Sequence, residues 1–169
     1  KVDFTPDTAA VKALARLGLT FRVKDTFGKV EYNGRGDIET YNDRKAAGFI
    51  GHYKTTAEAM FHYYVKPQAT GNRTDVRWVS ISDTRNRLIV AAKSPFQFSV
   101  TPFSDSVIDR ATHINQLSRD GLLTVHLDAN QSGVGTATCG PGVAEKYRVS
   151  VKPTSFEFVL YPATFAYNQ

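Results

Sequence analysis

Leu17-Gly18-Leu19-Thr20-Phe21-Arg22-Val23-Lys24 decides the fold class. Leu17, Leu19, Phe21 and Val23 alternate with Gly18, Thr20, Arg22 and Lys24, so an extended chain turns one face to a core and the other to water. Strand-like runs recur on the C-terminal side of this stretch, at 76–81, 88–92, 96–100, 122–127, 147–151 and 156–161. Phe (11) and Tyr (8) supply all but one of the aromatics and recur inside these runs, where half-buried pleated surfaces favour them. Turn chemistry separates the runs at Asn33-Gly34, Thr70-Gly71-Asn72, Arg119-Asp120-Gly121 and Cys139-Gly140-Pro141-Gly142. Helical spacing is best at 104–117, where Ser104 or Asp105 can cap and Val107, Ile108, Ala111 and Ile114 share a face. A weaker start at Thr56 is followed at once by β-formers. The expectation is an all-β fold, an antiparallel sandwich or open superbarrel with one short helix.

The 169 residues fit one domain spanning 1–169, with no repeat, low-complexity segment or linker. A chain of this length buries about 70% of its unfolded surface and needs no staples. With 41% hydrophobic and 22% charged residues it is neither disordered nor collagen-like. No apolar run approaches the roughly 20 residues that cross a bilayer as a helix. The one cysteine, Cys139, excludes an internal disulfide framework and a four-cysteine zinc site. A single thiol suits a cytoplasm and a periplasm equally, so the compartment stays open. The sequence starts at Lys1 and its one methionine is Met60, which reads as a processed chain or a piece of a longer one.

Catalytic and metal signatures are sparse. His52, His62, His113 and His126 show no metal-ligand spacing, so no metal site is expected. Gly133-Val134-Gly135 lacks the helix and lysine of a phosphate loop and reads as tight backbone between strands. The net charge of +5 is spread among acidic neighbours with no basic run, which argues against nucleic acid. Glycosidase chemistry needs two carboxylates across the scissile bond. Of the five glutamates, Glu39 stands out, in Gly34-Arg35-Gly36-Asp37-Ile38-Glu39-Thr40-Tyr41-Asn42-Asp43-Arg44. The bland reading of Glu39, Asp43 and Arg44 is a structural charge network that pins a loop.

Several blocks in order resemble the C-terminal end of bacterial β-galactosidases of the LacZ type, glycoside hydrolase family two. They are Leu14-Ala15-Arg16-Leu17-Gly18-Leu19, Val30-Glu31-Tyr32-Asn33-Gly34-Arg35-Gly36, Glu39-Thr40-Tyr41-Asn42-Asp43-Arg44 and the stretch from Pro67 through Gly71-Asn72-Arg73-Thr74-Asp75-Val76-Arg77-Trp78. Val125-His126-Leu127-Asp128, Gln131-Ser132-Gly133-Val134-Gly135 and Cys139-Gly140-Pro141 complete the match. The resemblance implies the small chain, or domain five, a supersandwich similar to galactose mutarotase. It implies that the catalytic glutamates lie on a barrel elsewhere in the parent, whose motifs are absent here. It also implies that any Mg2+ and Na+ are held by other domains, with no cofactor in this chain. The expected partners are the parent's remaining domains, a β-galactoside at the rim, and further subunits of a homo-oligomer.

In such enzymes a tryptophan on the loop after the Gly-x-Gly pair stacks on the sugar beyond the cleaved galactose. Here the loop is one residue shorter and Cys139 falls nearest that position; a thiol does not reproduce an aromatic platform. Asp37, Thr40 and Asn42 stand where Pro, Asn and Pro are usual, and Ala69 where Glu is common. Gln131, Ser132 and Cys139 are the expected substrate-facing residues, and no catalytic residue is expected in this chain. Two further readings stay open. One is an autonomous carbohydrate-binding module using Tyr53, Tyr63, Tyr64 and Trp78, although Trp78 reads as core. The other is a mutarotase-like epimerase pairing Glu39 with His113 or His126.

Overall fold

The computed structural model describes residues 1–135 and 140–165. The strands are β1 (Val2–Phe4), β2 (Arg16–Lys24), β3 (Lys29–Arg35), β4 (Ile50–Thr56), β5 (Arg73–Ser82), β6 (Asn86–Thr101), β7 (Leu122–Gln131), β8 (Thr154–Phe156) and β9 (Val159–Thr164). Two short helices, α1 (Ala57–Met60) and α2 (Asp105–Arg110), lie between them. One seven-stranded sheet runs β2-β7-β6-β5-β3-β4, with β9 added beside β6, and β1 pairs with β8 as a separate ribbon. Every pairing is antiparallel, so the all-β sandwich class read from the alternation holds.

The alternation of β2 carries over in part: Phe21 and Val23 pack on the apolar core, while Leu19 is 37% exposed. Leu17, across a register shift, stands opposite Asn130 and is buried outside that core. Leu19, Phe21 and Val23 stand opposite Leu127, Val125 and Leu123 of β7. That face continues through Val100, Phe98 and Phe96 of β6, Val76, Val79 and Ile81 of β5, and Val30 and Tyr32 of β3. Ala57 and Met60 of α1 close this apolar core. At about 25 cal/mol per Å² of buried apolar surface, such a cluster is the main stabilising term.

The runs at 88–92 and 96–100 are one sixteen-residue strand rather than two. Along one edge, its first half (Asn86 to Ala91) pairs with β9 and its second half (Gln97 to Thr101) with β7. On the other edge its pairing with β5 jumps from Ala91 to Phe96, and Pro95 lies in that gap. A proline lacks the N–H that a ladder demands, so it fits where no ladder bond is made. Asn33-Gly34 is not a turn: it lies inside β3, and Gly34 is required because a Cβ there would sit 2.8 Å from Val76 Cγ2. Gly71 and Gly121 do occupy turns, at φ of 77° and 79°. The run at 147–151 supplies only a bridge from Val149 to Leu14. In the bulge of β5, Asp75 takes φ of 55°, a region Asp tolerates better than most residues. Its carboxylate is held there by Arg35 and Lys45.

The helix expected at 104–117 is realised as α2, with the Ser104 hydroxyl accepting from Val107 N at 3.3 Å, followed by a single 3-10 turn. A second one-turn helix, α1, is capped by Thr56. Phe61, Phe103 and Ile108 form a smaller apolar cluster under α2. Trp78 is half-buried against His52 rather than in the core, because the β5 bulge places Val76 and Val79 on the core face and Trp78 on the other.

The β2–β7 ladder carries its own steric test. A Cβ on Gly18 would lie 2.2 Å from the Leu127 carbonyl oxygen and 2.6 Å from Asp128 Cα, both backbone atoms that cannot rotate away. Gly18→Ala is expected to lower stability by about 2–3 kcal/mol in urea titration. An unchanged midpoint would show that the ladder tolerates a methyl at this bulge.

Candidate functional site

The second face of β6 and β7 is polar and buried. Gln97, Ser99 and Thr101 stand opposite Asp128, His126 and Thr124, all covered by the segments before β4, before β5 and around α2. Burying such groups costs free energy unless they find partners, and most do, while Thr124 Oγ1 and Asn72 Oδ1 make no hydrogen bond to the described residues. Asn72 donates from one amide nitrogen to both the Thr40 carbonyl and Gln97 Oε1, at 2.8 Å each. Thr74 N and its hydroxyl donate to Thr40 Oγ1. Asn42 donates to Asn130 Oδ1 and to the Gln131 carbonyl, while Gln97 donates to Asn42 Oδ1. Arg73, also buried, donates to Tyr32 Oη and to the carbonyls of Gly71, Asn72 and Asp37.

Within this cover, Glu39 and Arg44 form an ion pair, and Asp43 makes a different contact. The Glu39 carboxylate also accepts from the Tyr64 hydroxyl, from Thr70 Oγ1 at 2.7 Å and from Gly71 N at 2.9 Å. Burial would raise its pKa, but donation by Tyr64, Gly71, Thr70 and Arg44 outweighs burial and holds it at about 2. Tyr41 is pushed upward, by burial first and then by the Glu39 charge beside it.

Asp43 caps the turn that leaves β7. Its two carboxylate oxygens accept from Val134 N at 3.0 Å and Gly135 N at 2.7 Å. A Cβ on Gly133 would meet that carboxylate at 2.5 Å, and Gly135 has φ of 61°. The two glycines therefore serve close approach and left-handed backbone. Gln131 and Ser132 enter the turn already anchored: Ser132 N donates to the Ala15 carbonyl, and Gln131 Oε1 accepts from Arg16 at 3.2 Å. Cys139 lies outside the described residues.

Sequence reasoning missed a line of residues beside this turn. Arg16 bridges Gln131 and the buried Asp128, at 2.8 Å to Oδ2. Burial lifts the pKa of Asp128 and the Arg16 charge opposes that. His126 Nε2 lies 3.0 Å from Asp105 Oδ1, and its Nδ1 is 2.9 Å from Thr20 Oγ1. A carboxylate only accepts, so Nε2 bears the proton and, on a neutral ring, Nδ1 accepts from the Thr20 hydroxyl. The hydrogen bond from His126 lowers the pKa of Asp105. The signal was present as Thr124-His126-Asp128, a polar alternation inside an apolar strand.

The residues of the alternative readings go to separate places. Tyr53 stacks on Tyr32, Tyr63 meets Phe61, Tyr64 meets His62 and Trp78 meets His52. His126 is paired with Asp105, and His113 with Thr112, rather than either with Glu39.

An antiparallel sheet with a clamped glycine segment and anchored polar side chains at the end of β7 defines an all-β domain. The family model for the beta galactosidase small chain matches residues 1–160, and the chain belongs to that family. It is 31% identical over 147 residues to a beta-galactosidase of Staphylococcus xylosus, covering 87% of this chain and 15% of the relative. It is 33% identical over 149 residues to a beta-galactosidase of Kluyveromyces lactis, covering 86% and 14%. A beta-galactosidase of Actinobacillus pleuropneumoniae is 30% identical over 147 residues, covering 87% and 14%. The chain thus spans about one seventh of the length of these relatives.

The Glu39 environment has a pH signature. A folded pKa near 2 against 4.5 ordinarily means that its stabilisation is complete above about pH 4.5 and lost as pH falls towards 2. Glu39→Gln is expected to cost about 2–3 kcal/mol at pH 7 and to flatten the acid limb between those values in denaturant midpoints. An acid limb identical to that of the parent sequence would remove Glu39 from the network's energetics.

Proposed function

We propose that this chain is the C-terminal β-sandwich of a β-galactosidase that hydrolyses terminal β-D-galactosides with retention, and that it completes the active-site rim and supports assembly. The catalytic carboxylates then belong to other domains of the parent. The observation that carries this reading is the small-chain match over residues 1–160 in a chain about one seventh as long as its beta-galactosidase relatives.

The state of the carboxylates supports the division of labour. A glycosidase acid needs a raised pKa and access to the glycosidic oxygen. Glu39 is held low, at about 2, and so remains ionised. Asp128 is raised but only 2% exposed and bound to Arg16. Among the described residues no group of three or more His, Cys, Asp or Glu is placed to hold a metal ion. In this reading the Mg2+ and Na+ implied by the resemblance are bound by the other domains.

Gln131, Ser132 and Cys139 face the aglycone on this reading, and Asp43 fixes the backbone of Val134 and Gly135, next to Gln131 and Ser132, before substrate arrives. Pre-orienting a contact in this way avoids the entropy of ordering it on binding. Glu39 and Arg44 hold the loop that delivers Asp43.

Two measurements test the reading. A chromogenic β-galactoside should not be hydrolysed by this chain alone, and activity should return when the chain is mixed with a parent preparation lacking this segment; activity of the chain alone would overturn the assignment. In the complemented enzyme, Asp43→Asn is expected to raise KM about threefold to tenfold with kcat nearly unchanged. An equal fall in kcat and kcat/KM would place the turn's role in the chemical step instead.

A further inference from the structure

A cleft of about 640 Å³ opens between the start of β2, the 66–69 segment and α2. Its size falls in the range of small-molecule sites, roughly 300–1,000 Å³. Below it, a throat of about 10 Å³ shares Arg16, Ala69, Asp105 and Ile108 with the cleft and reaches Asn72, His126 and Gln131. The throat is about the size of one water molecule.

The charges around the cleft balance. Arg16 and Lys66 line the same opening as Asp105 and Asp109. An anionic ligand would meet two carboxylates there, and a cationic ligand a guanidinium and an ammonium. A neutral ligand whose groups both donate and accept can satisfy all four. Hydroxyl pairs do this: each O–H donates to a carboxylate while its oxygen accepts from Arg or Lys.

The lining is held from beneath by buried hydrogen bonds. Arg16 is fixed by bonds from one terminal nitrogen to Asp128 and Gln131, yet its buried Nε makes no hydrogen bond to the described residues. Asn72 is 1% exposed and spends its amide nitrogen on Thr40 and Gln97, while its Oδ1 makes none. A buried donor or acceptor without a partner costs about 1–3 kcal/mol. Both atoms are buried: Arg16 Nε belongs to a side chain that lines the cleft, and Asn72 lines only the throat below it. Asp105 is oriented by His126 at 3.0 Å while its side chain stays 60% exposed, so it presents a positioned acceptor to the opening.

We infer that this cleft is a binding site for a neutral polyhydroxylated ligand, a free mono- or disaccharide, recognised by the exposed part of Arg16 and by Lys66, Asp105 and Asp109. The site is separate from the Gly133–Gly135 turn and meets it only at Gln131, so the inference does not rest on the rim reading. No Phe, Tyr or Trp is among the described lining residues, which removes the stacking contribution and sets the affinity in the millimolar range.

Calorimetry and NMR titration of the intact chain with methyl β-D-galactoside, lactose and galacturonate test the site. Saturable binding of at least one neutral sugar is expected at about 1–10 mM, with galacturonate several-fold weaker. Lys66→Ala, at an exposed position, should weaken binding about threefold without moving Tm, and Asp105→Asn about tenfold. Three results would each overturn the inference: no saturable signal for either sugar up to about 100 mM, tighter binding of galacturonate, or full affinity in Lys66→Ala. None of these readouts uses hydrolysis, so failure of the complementation assay and failure of this site are separately visible.

Discussion

Both faces are buried where the second half of β6, Phe96 to Thr101, runs beside Leu123 to Asp128 of β7, and the rest of the structure answers to that. One face packs Phe98, Val100, Val125 and Leu127 into an apolar core. The other carries Gln97, Ser99, Thr101, Thr124, His126 and Asp128 under loops. An apolar face gains free energy by area with little directional demand, whereas a buried polar face gains only if its partners are correctly placed. The loops over β6 and β7 are therefore ordered by hydrogen bonds, and their paths follow where Thr40, Asn42 and Asn72 must sit to satisfy the sheet.

This explains why the glycine turn after β7 is so firmly held. The Gly36-to-Gly48 segment is fixed over the sheet by Thr40 and Asn42, and the next residue along, Asp43, reaches Val134 and Gly135. Glu39 and Arg44 tie the same segment to Tyr64 and Thr70. One loop thus joins the 61–72 cover to the exit of β7. Side chains mounted on such a loop inherit the rigidity of the sheet beneath it, which loops alone rarely provide.

Membership of the β-galactosidase small-chain family gives this arrangement its context. The carboxylates near the turn are held either strongly ionised, as Glu39 is, or buried against a cation, as Asp128 is. Both conditions suit scaffolding and orientation better than proton transfer. The cleft beside Arg16 is where charged side chains of both signs, Arg16, Lys66, Asp105 and Asp109, line one opening near this polar face.

The sequence by itself determined the fold class, the capped helix at Ser104, the turns at Gly71 and Gly121, and the family. Each rests on local chemistry or residue order: period-two alternation, a hydroxyl cap, left-handed glycine, blocks in sequence. It did not reveal β3 or β4, because Asn33-Gly34 reads as a turn until Val76 is seen pressing on Gly34. Nor did it reveal that Lys93-Ser94-Pro95 lies inside one long strand, because only a gap in the ladder makes room for the proline. The division between Glu39 with Arg44 and Asp43 with the glycine turn, and the gathering of Arg16, Asp105, His126 and Asp128, were decided by tertiary structure alone. Arg16 and Asp128 lie more than a hundred residues apart in sequence, and the pairing that joins them depends on a β-bulge at Leu17 and Gly18. Alternation says which residues share a face, but it does not say which faces the loops will cover.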